Sequence, residues 1–335
     1  MFRIICAFAL LTGLNLPVWA EDIHPYDSHT IFGQAIWIGE DKARFPALYA
    51  EAAAPEAKGV IIMLHAEGEH PQWPMVIQVL REQLTAHGWN TLALQLPTPI
   101  ASARTLDRKA YTEMASEKLQ MAVNHVMPMN PPVMVLLGHG LGANAVIKRA
   151  TEHLDNNLMA VIGVSINATV DQTDALNTLE HIRQLKLPVL DVYAERDRFE
   201  VRQSSRDRKR ASLKAGNKDY RQLKIPGASQ HFYNHTDMLG SRVKSWLDAT
   251  YRKLPDEKTA PENRLEAFPM TMPAISSSPK DTKAAAADAQ DQKTKNVAEQ
   301  VTPEETAAST SAEESVPANR ADQQVPNPTG PEGLF

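Results

Sequence analysis

Cysteine is almost missing from the 335-residue chain; there is one, Cys6. A single thiol cannot close an intrachain bridge, so a disulfide-built scaffold is excluded. Positive charge is not in excess either. Lys and Arg number 35 against 40 Asp and Glu, a net of −5. A nucleic-acid-binding face needs a basic surplus to displace phosphate counterions, and the composition excludes that class. Beyond the N-terminus no run reaches the roughly 18 consecutive apolar residues that suggest a membrane-spanning helix.

The charge is unevenly placed. Residues 255–335 hold 14 acidic and 7 basic side chains, a net of −7, while residues 21–254 are close to neutral. The acidic segment is rich in Pro, Ala, Glu, Gln, Thr and Ser, with Phe268 and Phe335 its only aromatics. Such a segment buries too little apolar surface to offset chain entropy, so a disordered tail is expected from Pro255 onward. At the other end, Arg3 precedes an apolar stretch from Ile4 to Leu14, then Pro17 and Val18-Trp19-Ala20. This is the pattern of a secretory signal peptide, with cleavage expected after Ala20 and a periplasmic or secreted product. Cleavage there removes Cys6 and leaves a thiol-free chain suited to an oxidising compartment.

Residues 21–254 suffice for one sizeable domain. Short apolar runs alternate with amphipathic stretches. Strands are expected at Gly59–His65, Asn90–Leu96, Val133–Leu137, Leu158–Ile166, Pro188–Tyr193 and Tyr220–Ile225. Helices are expected at Pro74–His87, Arg108–Val126, Leu141–Leu154, Thr173–Leu185, Glu200–Ala215 and Thr236–Lys253. Gln34–Ile38 and Ala47–Ala52 read as an antiparallel pair feeding the sheet. The alternation predicts an α/β fold: a doubly wound, mostly parallel sheet of about eight strands, with loop chemistry at the strands' carboxyl ends.

Three of those loops carry a pattern. Gly138 to Ala143 reads G-H-G-L-G-A and resembles the nucleophile elbow of α/β-hydrolases, G-x-S-x-G. Ala194-Glu195-Arg196-Asp197 resembles the loop that supplies the triad acid, and Pro226 to Phe232 the loop that supplies its histidine. The order along the chain is that of the family. The resemblance spans Gln34 to Lys253 and is that of a secreted, α/β-hydrolase-like proteobacterial family without assigned function. It implies that Gly140 stands at the nucleophile position, Asp197 at the acid and His231 at the base. A weaker likeness, His65-Ala66-Glu67-Gly68 to the family's H-G-x-G loop, implies an oxyanion hole around Ala66, Glu67 and the Leu141 amide.

Glycine has no side chain to attack a carbonyl, so the constellation lacks its nucleophile. A non-catalytic protein binding a ligand or partner in the former cleft is expected, with Asp197 and His231 left as a hydrogen-bonded pair. The alternative is an esterase using a substitute nucleophile, Ser165 or Ser229, or a water activated by His231. No cofactor is implied. His65, His70 and His139 do not repeat a known metal-ligand spacing. Finally, Arg202, Arg206, Arg210 and Lys214 recur every four residues, with Arg196, Arg198, Arg208 and Lys209 beside them. On one helix this row would face an anionic envelope component or the acidic tail.

Overall fold

The computed structural model describes residues 31–40, 43–97, 107–153, 155–168 and 176–259. The expected signal peptide lies outside these residues, as does the expected tail from residue 260. Eight strands form one sheet: β1 (Gln34–Ile38), β2 (Phe45–Ala50), β3 (Val60–Leu64), β4 (Asn90–Leu94), β5 (Met134–His139), β6 (Leu158–Val164), β7 (Val189–Arg196) and β8 (Tyr220–Ser229). Their order is β1-β2-β4-β3-β5-β6-β7-β8. β2 runs antiparallel to both β1 and β4, and every other pairing is parallel.

The apolar strands are explained by burial on both faces. Every residue of β3, β4, β5 and β6 is buried. Alternation then divides them. Ile62 and Leu64 join one core cluster, while Ile61 and Met63 join the other. The first cluster is covered by α2 (Arg108–Val126) and α3 (Leu141–Glu152), through Tyr111, Ala115, Leu119, Ala145 and Val146. α4 (Thr178–Gln184) adds Ile182 to the same side. The second is covered by α1 (Ile77–Ala86) and α7 (Thr236–Tyr251), through Ile77, Leu80, Leu84, Leu239, Val243 and Leu247. Asp107 caps α2 by accepting from the Lys109 and Ala110 amides.

Two expectations are corrected. The stretch Glu200–Ala215 is not one helix but two, α5 (Phe199–Gln203) and α6 (Ser205–Lys214), meeting at Ser204. At the junction the buried Arg208 guanidinium donates to the Val201 carbonyl and to the Ser204 hydroxyl. Regular structure also runs past Leu254 into a short helix, α8 (Asp256–Thr259). The helix expected from Thr173 starts at Thr178, and residues 169–175 lie outside the described set. No helix among the described residues is long and apolar enough to cross a membrane.

Candidate functional site

The parallel strands deliver five segments to one end of the sheet. β5 ends in a sharp turn at Gly140, with φ 56° and ψ −125°, before α3 begins at Leu141. Two flanking glycines make that turn by letting backbone approach backbone. A Cβ on Gly138 would lie 2.3 Å from the Gly142 carbonyl oxygen, and one on Gly142 would lie 2.5 Å from that of His65. Ser165 follows β6 with a positive φ of 53°. Asp197 and Arg198 follow β7, and Gln230 and His231 follow β8. Gly140, Asp197 and His231 line one cavity with Ala66, His139, Ser165, Asn167 and Gln230. Its volume is about 10 Å³, roughly the space of one water.

The space above Gly140 is filled. A Cβ there would lie 2.7 Å from Ala66 Cβ and 2.9 Å from Glu67 Oε2. Glu67 Oε2 accepts from the Leu141 amide at 3.1 Å, the first N–H of α3. Its other oxygen accepts from Arg198 Nη1. Burial would raise the Glu67 pKa, but the Arg198 charge and these hydrogen bonds outweigh it and hold the carboxyl below its ordinary range. The residues expected around an oxyanion hole, Ala66, Glu67 and Leu141, do come together, with a glutamate carboxylate on the amide.

Asp197 and His231 do not form the expected hydrogen-bonded pair. Asp197 Oδ2 accepts from Ser165 Oγ at 2.6 Å and from the Ala194 amide, while Oδ1 accepts from the Arg198 amide. These contacts fix its own loop and the end of β6. His231 Nε2 instead accepts from Gln230 Nε2 at 2.8 Å, which puts the proton on Nδ1. That nitrogen faces Glu69 Oε1 at 3.7 Å, too far for a hydrogen bond. Gln230 in turn accepts from Arg198 Nε.

Glu69, which the sequence did not single out, lies beneath the site. It is buried, and its Oε2 accepts from the Ala66 amide and pairs with His139 Nδ1 at 2.9 Å. Burial disfavours charge on both partners, yet their mutual attraction lowers the Glu69 pKa and raises that of His139. His65 behaves oppositely. Its Nδ1 donates to the Ala66 carbonyl and its Nε2 accepts from the Leu96 amide, and burial lowers its pKa to about 4. Both ring nitrogens are committed to backbone, so His65 is a structural histidine. Glu69, Asn167 and Gln230 were missed because charged and amide side chains in loops carry no periodicity, and Arg198, expected in the basic row, turns instead to Glu67 and Gln230.

The basic row is rearranged. Arg208 leaves it altogether: it is fully buried and makes paired hydrogen bonds to Asp191 at 2.9 and 3.1 Å. Tyr220 and Gln222 donate to the same carboxylate. Arg202, Arg206, Arg210 and Lys214 stay exposed, Arg202 bonding the Asp197 carbonyl and Arg210 pairing with Asp207. On α6 the 100° step per residue gathers Arg206, Lys209 and Arg210 around exposed Leu213.

A strand-to-helix elbow on a mostly parallel eight-stranded sheet, with the acid and histidine loops following in order, defines an α/β-hydrolase-like protein. Solved structures share the fold. Est1E from Butyrivibrio proteoclasticus superposes with a TM-score of 0.54 at 16% identity, over 66% of this chain and 100% of that one. The dienelactone hydrolase of Anabaena variabilis gives 0.51 at 14% identity, over 64% of this chain and 96% of that one. Identities this low establish the fold alone. No curated protein matches the sequence. Residues 33–107 and 99–249 match the family described as "Protein of unknown function (DUF3530)", and the chain belongs to it.

Proposed function

We propose that the protein is a non-catalytic α/β-hydrolase-like protein of the periplasm or of secretions, which binds a ligand or partner in the cleft at the carboxyl ends of its strands. In this reading residues 1–20 are a leader, 21–254 the working domain and 255–335 an acidic appendage. One observation carries it: the Glu67 carboxylate sits on the Leu141 amide, in the space a side chain at Gly140 would need. An acyl-transfer site needs both an activated nucleophile and an open oxyanion hole. Here the first is glycine and the second holds a negative charge, which repels a developing oxyanion.

The hydrogen bonds give no support to a substitute nucleophile. Ser165 Oγ donates to Asp197, and among the described residues no histidine hydrogen-bonds to it. His231 Nε2, the nitrogen that would take a proton, accepts from Gln230. The basic face of α6 is the surface offered to an anionic envelope component. Steady-state hydrolysis of short- and long-chain p-nitrophenyl esters by the purified chain tests the reading. Rates at the buffer background are expected. Turnover that disappears in His231→Ala would establish the esterase alternative instead.

A further inference from the structure

We infer that Glu67 is the resident occupant of a carboxylate-binding site, and that a small hydroxy acid takes its place there. This deepens the reading of the cleft as a binding site and rests on it. The site is built from two donors fixed independently of Glu67. The Leu141 amide is held by the elbow between β5 and α3. The Arg198 guanidinium is held by Gln230 through Nε, and its backbone amide by Asp197. Together they bind a carboxylate by both oxygens, as Glu67 demonstrates.

Apart from those two contacts, the Glu67 carboxylate is held by a hydrogen bond from its own backbone amide. Its side chain is 13% exposed, so one edge of it reaches solvent. Gly68 follows it, exposed and with space around its Cβ position. Rotation of Glu67 into water leaves the Arg198 guanidinium and the Leu141 amide facing a space joined to the cavity beneath, whose lining includes Asp197. An incoming carboxylate restores the same charge on the same donors, so the exchange leaves no buried charge unpaired.

The cavity supplies the second requirement. Asn167 lines it, is 3% exposed, and among the described residues its Oδ1 has no hydrogen-bond partner. A buried acceptor without a partner costs free energy that a ligand donor recovers. An acid carrying a hydroxyl meets both demands. The space available is the cavity of about 10 Å³ plus that vacated by one glutamate side chain. This favours a free small acid over a carboxylate presented by a folded partner.

The test uses the full-length chain with Glu67→Ala, which empties the site, and reads thermal midpoint and calorimetric heat. Glycolate is expected to bind in about the millimolar range, as suits so few atoms, and more tightly than acetate. At tenfold above its dissociation constant it should raise the midpoint by roughly 3–6 °C. Sodium chloride at equal ionic strength should give no such shift, and Arg198→Ala in the same background should abolish it. Equal response to acetate and glycolate overturns the role given to Asn167. No response to either, in a variant with a native circular-dichroism spectrum, overturns the whole inference. If Glu67→Ala is insoluble, line broadening of labelled glycolate by the wild-type chain replaces it, and broadening that survives Arg198→Ala refutes the site. Ester turnover by the wild-type chain would instead overturn the non-catalytic reading and leave carboxylate binding standing.

Discussion

Glu67 Oε2 lies 3.1 Å from the Leu141 amide nitrogen and accepts its hydrogen bond. The α/β-hydrolase resemblance assigns that amide to the oxyanion hole. In this chain that amide donates to an internal carboxylate.

Gly140→Ser should therefore not create an esterase. Its Cβ would meet Ala66 at 2.7 Å and Glu67 at 2.9 Å, on a backbone with φ 56°. A loss of about 1–3 kcal/mol in stability is expected from strain and overpacking, measurable by urea denaturation. Adding Ala66→Gly and Glu67→Ala should recover part of it. A Gly140→Ser single variant as stable as wild type would show that the loop yields easily and that the steric argument is wrong.

The Asp191–Arg208 pair should behave as a buried ion pair. Both side chains are fully buried, and Arg208 also donates to the Ile166 and Val201 carbonyls, tying α6 to the loop on which Ser165 stands and to α5, which follows Asp197. Arg208→Met leaves Asp191 uncompensated and should cost about 3–5 kcal/mol. Asp191→Asn added to it should restore part of that loss by removing the stranded charge. A single variant losing under about 1 kcal/mol would contradict the assignment.

The Glu69–His139 pair sets a pH window. The folded state raises His139 above its ordinary 6.5, so its contribution is full below 6.5 and fades as pH rises through the raised value. Glu69 is held below its ordinary 4.5, so its contribution is present above 4.5 and is lost as pH falls through the lowered value. The pair is thus worth most between about 4.5 and 6.5. His65, lowered to about 4, works against stability as pH falls below 6.5, so the whole-protein curve mixes the two. Subtracting the Glu69→Gln curve from wild type isolates the pair. The difference should peak in that window and shrink above it; a flat difference from pH 5 to 8 would show that the pair carries no charge.

Much of this was legible in the sequence, and the remainder has a physical explanation. Strand β3 could be read because Val60–Leu64 is buried on both faces and so is continuously apolar. The elbow could be read because Gly138 and Gly142 are demanded by close backbone contact. The break at Ser204 could not, since it lies where the buried Arg208 guanidinium reaches the Val201 carbonyl and the Ser204 hydroxyl, contacts that helical spacing does not show. Arg208 looked like its exposed neighbours because helical spacing does not reveal that Asp191 waits on β7. The replacement of an Asp197–His231 bond by Ser165–Asp197 and Gln230–His231 contacts depends on side-chain geometry between loops far apart in the chain.

The basic face of α6 should bind anionic surfaces in a salt-sensitive way. Vesicles mixing phosphatidylglycerol with phosphatidylcholine are expected to retain the protein at low salt, and pure phosphatidylcholine vesicles are not. Replacing Arg206, Lys209 and Arg210 with Gln should weaken retention about a hundredfold, at about 1 kcal/mol per cation near the surface. Deleting residues 255–335, which carry a net of −7, should strengthen retention if that segment shields the face. Absence of retention with and without those residues would mark the face as merely solvated.

The most direct test of a nucleophile-free cleft is covalent. A fluorophosphonate probe phosphonylates an activated serine, displacing fluoride, and leaves an unactivated one alone. Incubation of the purified chain with excess probe, followed by intact-mass measurement, is expected to return the unmodified mass, with Ser165 still donating to Asp197. A stoichiometric adduct mapping to Ser165 or Ser229, and lost in His231→Ala, would contradict the non-catalytic reading outright.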